Sequence, residues 1–135
     1  MLKSVAFKKA KQRNYKILLV EDNLHVIDLI CKIIEDKAYQ ITTAISTEDA
    51  IEALSKNDFD LLIIDLAIIQ ASGTSFLEKA KELNPETNVI ITTGNIEVIF
   101  AIENLRYIVD DYLLKPFKLD NLSDCVAHYY KHSLL

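Results

Sequence analysis

Runs of β-branched and aliphatic residues alternate with helix-periodic segments five times along this chain. That is the pattern of repeated strand–helix units, an α/β fold built on a parallel sheet. The strand runs are Ile17-Leu18-Leu19-Val20, the short Tyr39 to Thr43, Leu61-Leu62-Ile63-Ile64, Val89-Ile90-Ile91 and Tyr112-Leu113-Leu114. Between them, Leu24, Ile27, Cys31 and Ile34 recur at three- and four-residue steps and mark one face of a first helix. Ser46 or Thr47 can cap the second, with Glu48 and Asp49 favouring its N-terminal dipole and Ala50, Ala53 and Leu54 turned inward. A loop containing Gly73 leads into a third helix bearing Phe76, Leu77 and Ala80. Asn84-Pro85 closes it, because a residue before proline is pushed out of helical geometry. A fourth helix is expected from about Asn95 to Leu105. A fifth uses Leu119, Leu122, Val126 and Tyr129 or Tyr130 as its inner stripe.

Polar residues interrupt this pattern where the strands end. Glu21-Asp22 follows the first strand, Asp65 the third, Thr93-Gly94 the fourth and Lys115-Pro116 the fifth. In an open parallel sheet the carboxyl ends of the strands share one edge, and ligands bind in the crevice there. Three carboxylates, a hydroxyl and an ammonium are therefore expected to converge. Clustered carboxylates repel in a partly desolvated crevice, and a hard cation such as Mg²⁺ or Mn²⁺ relieves that repulsion. A carboxylate can also attack phosphorus to give an acyl phosphate, and Asp65, on the central strand, is the candidate nucleophile. Thr93 and Lys115 could then hydrogen-bond phosphoryl oxygens, with Gly94 permitting close backbone approach. Lys115–Pro116 is a candidate cis peptide.

Composition narrows the alternatives. The chain has 135 residues, half of them hydrophobic, which suits one globular domain. Its only two glycines, Gly73 and Gly94, exclude a glycine-rich phosphate or dinucleotide loop. Cys31 and Cys125 lie in helical patterns without ligand spacing and read as reduced thiols. His25, His128 and His132 read as surface residues. No apolar run is long enough for membrane insertion and the first residues lack the continuous apolar core of a secretory signal, so a cytoplasmic location is expected. The net charge of −5 hides an asymmetry: Lys3, Lys8, Lys9, Lys11, Arg13 and Lys16 all precede the first acidic residue, Glu21. Residues 1–14 are read as a basic arm and 15–135 as the folded domain. The acidic domain argues against direct nucleic-acid binding.

Four stretches in order carry a resemblance: Ile17-Leu18-Leu19-Val20-Glu21-Asp22-Asn23, Leu62-Ile63-Ile64-Asp65-Leu66, Ile91-Thr92-Thr93-Gly94 and Asp111-Tyr112-Leu113-Leu114-Lys115-Pro116-Phe117. With them the chain resembles a two-component response-regulator receiver domain of the chemotaxis-regulator kind, over about Lys16 to Lys131. The resemblance implies a doubly wound, flavodoxin-like (βα)5 fold with strand order 2-1-3-4-5. It also implies phosphorylation of Asp65 by a sensor histidine kinase or phosphotransfer protein. Asp22, Asp65 and the Ala67 carbonyl would hold Mg²⁺, with Glu21 acting directly or through water. Thr93 and Tyr112 would move together and remodel a partner-binding face made by the fourth helix, fifth strand and last helix.

The chain departs from the family pattern in three places. Ile68 and Ile69 stand where Met-Pro is usual, so proline no longer fixes the loop after Asp65. Ile108-Val109 replaces a usual Gly-Ala pair. Ala67 and Asn95 occupy the positions flanking the path of attacking water, and the apolar Ala67 implies slow autodephosphorylation. Two other readings compete: a receiver-like interaction module not controlled by phosphorylation, and an aspartyl-nucleophile phosphohydrolase. The latter needs a second aspartate at position 67, where alanine stands. The apolar surplus of the fourth helix (Ile96, Val98, Ile99, Phe100, Ala101, Ile102, Leu105) is read as a surface for a downstream partner or a homodimer, or as the seat of the basic arm.

Overall fold

The computed structural model describes residues 14–73, 75–95 and 107–135. The basic arm up to residue 13 and the helix expected at about 95–105, Asn95 apart, lie outside the described residues. Five parallel strands form one sheet: β1 (Tyr15–Val20), β2 (Tyr39–Ala44), β3 (Leu61–Asp65), β4 (Asn88–Thr93) and β5 (Asp111–Leu114), in the order β2-β1-β3-β4-β5. The helices are α1 (Leu24–Ile34), α2 (Thr47–Lys56), α3 (Leu66–Ser72), α4 (Ser75–Leu83) and α5 (Leu119–Ser133).

Strand alternation divides the aliphatic runs into two cores, one on each face of the sheet. Leu18, Val20, Leu62, Ile64, Val89 and Ile91 face α2, α3 and α4, where Ala50, Leu54, Ile69, Phe76, Leu77 and Ala80 meet them. Ile17, Leu19, Leu61, Ile63 and Ile90 face α1 and α5, against Ile27, Ile30, Ile34, Leu122 and Val126. Fully burying one such aliphatic side chain contributes roughly 1.5–3 kcal/mol. The sheet is therefore secured from both sides before any polar contact is counted. On α1 the inner stripe is Ile27, Ile30 and Ile34 with Cys31 half-buried. Leu24, expected on that face, is 68% exposed because it opens the helix at the sheet's edge.

Caps fix where helices start. Asn23 Oδ1 accepts the N–H of His25 at 2.9 Å, and Ser46 Oγ accepts that of Asp49 at 3.1 Å, satisfying donors that a helix start leaves unpaired. After α4, the buried Asn84 turns its side-chain amide to the Phe59 carbonyl at 2.6 Å. That bond ties the end of α4 to the entry of β3.

One element differs from expectation. The segment between Asp65 and Gly73 is helical rather than a loop. Without proline at position 69, the stretch Leu66-Ala67-Ile68-Ile69-Gln70-Ala71-Ser72 keeps its backbone donors. It buries Leu66, Ile68 and Ile69 on one side, and Asp65 serves as its N-cap. Gly73, at φ 86°, takes a left-handed conformation and closes the helix by donating its N–H to the Ile69 carbonyl at 2.8 Å.

Candidate functional site

Strand register brings the candidate residues to one edge. Val20 pairs with Ile64, Asp65 with Thr92, and Thr93 with Leu114, so the carboxyl ends of β1, β3, β4 and β5 lie side by side. Backbone bonds lock the exits: the Glu21 N–H donates to the Ala44 carbonyl at 3.0 Å, and the Lys115 N–H to the Thr93 carbonyl at 2.7 Å. The Lys115–Pro116 peptide bond is cis.

The centre is a lysine between two carboxylates. Lys115 Nζ lies 2.8 Å from Asp65 Oδ1 and 3.6 Å from Glu21 Oε2. Only the first is a hydrogen-bonding distance; Glu21 Oε2 is buried with no hydrogen-bond partner. Burial pushes the Glu21 carboxyl above the usual range; Lys115 opposes that rise, while the charges of Asp65 and Asp22 add to it. Asp65 is buried too. Its Oδ1 also receives the Thr92 hydroxyl at 3.5 Å, and its Oδ2 accepts the Ala67 N–H at 3.2 Å.

The other expected residues divide. Asp22 is exposed and lines a cavity of about 200 Å³ with Ile45, Ser46, Thr47, Ala67 and Ser72. Ala67 sits inside α3, where carbonyls run along the helix axis toward its C-terminus, so the group it turns to Asp65 is its N–H. The Thr93 hydroxyl closes a turn with Asn95, accepting its N–H at 3.1 Å and donating to its carbonyl at 3.2 Å. Tyr112 is half-buried against the core under α2 to α4, as are Ile108 and Val109 before it. Those two side chains pack where the family pattern usually has glycine and alanine.

The donor chemistry suits a hard divalent cation: carboxylate oxygens from Glu21, Asp22 and Asp65, with Glu21 Oε2 buried and unpartnered. The present arrangement does not close around one, for no group of three carboxylate, histidine or cysteine ligands is assembled among the described residues.

The family profile described as "Response regulator receiver domain" matches residues 17–127. The chain belongs to that family. Among the receiver's relatives, the transcriptional regulatory protein DltR of Streptococcus agalactiae is 30% identical over 107 residues, covering 79% of this chain and 48% of DltR. The chain thus spans about half of that relative's length. The receiver domain of the Francisella response regulator 1452 is 30% identical, with a TM-score of 0.75, covering 89% of this chain and 99% of that one. A CheY-like receiver protein from Methanospirillum hungatei, 24% identical, matches in fold with a TM-score of 0.76 over 88% of this chain and 95% of its own. No helix among the described residues is long and apolar enough to cross a membrane.

Three polar contacts of this receiver, at two places, are not read from its sequence. Thr92, not Thr93, places a hydroxyl within reach of Asp65. Strand alternation held that signal, since adjacent threonines must face opposite sides of the sheet. At the opposite edge, Asp111 gathers the Cys125 thiol and the Tyr129 hydroxyl, each 3.4 Å from Oδ2, and joins β5 to α5. Nothing in the local sequence marks that cluster.

Proposed function

We propose that this receiver accepts a phosphoryl group on Asp65 from a sensor histidine kinase or a phosphotransfer protein, and in doing so changes a surface read by a downstream protein. The observation that carries the proposal is the Lys115 ammonium 2.8 Å from a buried carboxylate at the carboxyl edge of the sheet. In the transfer, an Asp65 oxygen attacks phosphorus. The bond from phosphorus to the donor's imidazole nitrogen (or to acetate, with acetyl phosphate) breaks, and its electron pair leaves with the donor.

Lys115 holds the Asp65 carboxylate in place and offsets charge on the phosphoryl oxygens. Asp22 and Asp65, with Glu21 directly or through water, would hold Mg²⁺ or Mn²⁺, whose chemistry is to neutralise phosphoryl charge. The hydroxyl of Thr93 would leave its turn with Asn95 to meet the phosphoryl group, and Tyr112 would follow it. The domain promotes only its own phosphorylation and dephosphorylation and turns over no independent substrate. The kinase and the downstream partner, or a second copy of the chain, are read as protein partners.

The test is intact mass after incubation with acetyl phosphate, with and without Mg²⁺, beside Asp65→Asn. A single Mg²⁺-dependent phosphoryl adduct is expected in the wild type and none in the variant. A folded wild type that gains no adduct would instead mark an interaction module independent of phosphorylation.

A further inference from the structure

Asp65 both ends β3 and caps α3, and contacts on both of its oxygens orient its carboxylate. Oδ1 is held by Lys115 at 2.8 Å, and Oδ2 by the Ala67 N–H at 3.2 Å. The Ala67 carbonyl is directed along α3 toward the helix C-terminus, as in any helical turn. The two groups that should meet a cation with Asp22 are thus both engaged in the first turn of one helix. We infer that cation binding and the first turn of α3 exclude each other, and that Ile69, by keeping α3 helical back to Asp65, is a positioning residue that holds the site in its cation-poor arrangement. This rests on the receiver reading above.

Three features make α3 a suitable element for such an exchange. It is a short helix of seven residues, ending at Gly73, so its own propagation holds it weakly. Its anchor is the burial of Leu66, Ile68 and Ile69, whereas Ala67, Gln70, Ala71 and Ser72 are exposed. Opening the first turn releases the Asp65 cap and the Ala67 N–H and carbonyl without emptying the core of Phe76 and Leu77. Lastly, α3 touches α2 through a hydrogen bond from the Thr47 hydroxyl to that of Ser72, 3.2 Å long. Ala67, Ile68, Ala71 and Ser72 also line the cavity onto which Asp22 opens. Occupation of the site would therefore be felt on the α2–α3 side of the domain, as well as through Thr93 and Tyr112.

The position of Ile69 explains its role. As the fourth residue of α3, its N–H lies at the point where a helix donates to the carbonyl of its cap residue, here Asp65. Proline there removes that donor and its ring collides with the same carbonyl. The first turn could then not form on Asp65, and the carboxylate and the Ala67 carbonyl would be free to turn toward Asp22.

The experiment is a Mg²⁺ titration of the full chain by calorimetry, with backbone NMR shifts of residues 66–72 followed in parallel, for wild type, Ile69→Pro and Gln70→Gly. Gln70 is exposed, so its substitution weakens the helix while leaving core and ligands intact. The expectation is tighter Mg²⁺ binding, by about threefold for Gln70→Gly from lost helix propensity and by more than about tenfold for Ile69→Pro. In the wild type, the shifts of 66–68 should move from helical toward coil values as Mg²⁺ saturates. If wild type binds Mg²⁺ with α3 shifts still helical and Gln70→Gly binds no tighter, the exclusion is wrong while the receiver reading stands. If none of the folded proteins binds Mg²⁺, both fall.

Discussion

Asp65, Thr92 and Thr93 show how much one residue of register decides. Thr93 ends β4 and spends its hydroxyl on the turn to Asn95, whereas the Thr92 hydroxyl, on the opposite side of the strand, reaches Asp65 only at 3.5 Å. A contact that long is at the weak limit of a hydrogen bond, while the 3.1 Å bond from Asn95 satisfies a backbone donor where the strand gives way to loop. The two threonines should respond differently to isosteric replacement. Thr93→Val is expected to cost about 1 kcal/mol in urea unfolding. Thr92→Val should stay within about 0.5 kcal/mol. The reverse order would mean that the hydroxyl at Asp65, not the turn, secures this edge. Much of the site was legible at this scale because Glu21, Asp65 and Lys115 each directly follow an aliphatic run, and Thr93 follows one after Thr92. What was not legible was orientation. Sequence placed Glu21 and Asp22 together, but a strand end turns successive side chains apart, burying one and exposing the other.

Among the elements, the strands were the clearest in sequence, because β1, β3 and β4 are apolar on both faces and no helix of such short length would be. The segment α3 was obscure for the converse reason. Leu66, Ile68 and Ile69 form too short a pattern to carry a period, and Gly73 suggested a loop although it acts as the helix's terminator. The join of β5 to α5 was hidden because its partners, Asp111, Cys125 and Tyr129, are remote in sequence. Here burial first, then the adjacent Asp111 carboxylate, pushes the Cys125 thiol up to about 12. The thiol therefore stays protonated at neutral pH as a donor to Asp111, and the thiolate is the reactive form. In a Cys31→Ser background, Cys125 should react with a disulfide reagent at pH 8 at least about tenfold more slowly than a free thiol. Asp111→Ala should speed that reaction. Rapid labelling of Cys125 in a folded protein that retains Asp111 would refute the contact.

At the scale of the sheet, the charged side chains that bind backbone or one another gather at the two ends of its central strands, with the aliphatic core between them among the described residues. At the amino edge, Asp60 and Asp110 accept the backbone N–H groups of Lys16 and Val89 at 2.8 and 2.7 Å, tying neighbouring strands together. At the carboxyl edge, Asp65 caps α3, but Glu21 Oε2 is buried without a hydrogen-bond partner, and a buried carboxyl whose pKa is raised opposes folding. The sign follows from proton uptake. Above its raised folded-state value, Glu21 must be held charged where burial disfavours charge, and the penalty is complete. As pH falls through that value toward the ordinary carboxylate range, the folded protein takes up a proton before the unfolded chain does, and the penalty fades. Glu21→Gln should therefore be more stable than wild type at pH 7.5 in the presence of a chelator. A rise of a few degrees in Tm is expected, since about 1 kcal/mol moves the midpoint by roughly 3–6 °C in a domain of this size. The advantage should shrink as pH is lowered through the raised value and vanish near the ordinary carboxylate range. Thermal unfolding across that series checks it. A variant less stable than wild type at pH 7.5 would show that the attraction of Lys115 outweighs burial, and that this edge holds the fold together instead of drawing on the stability of the two cores.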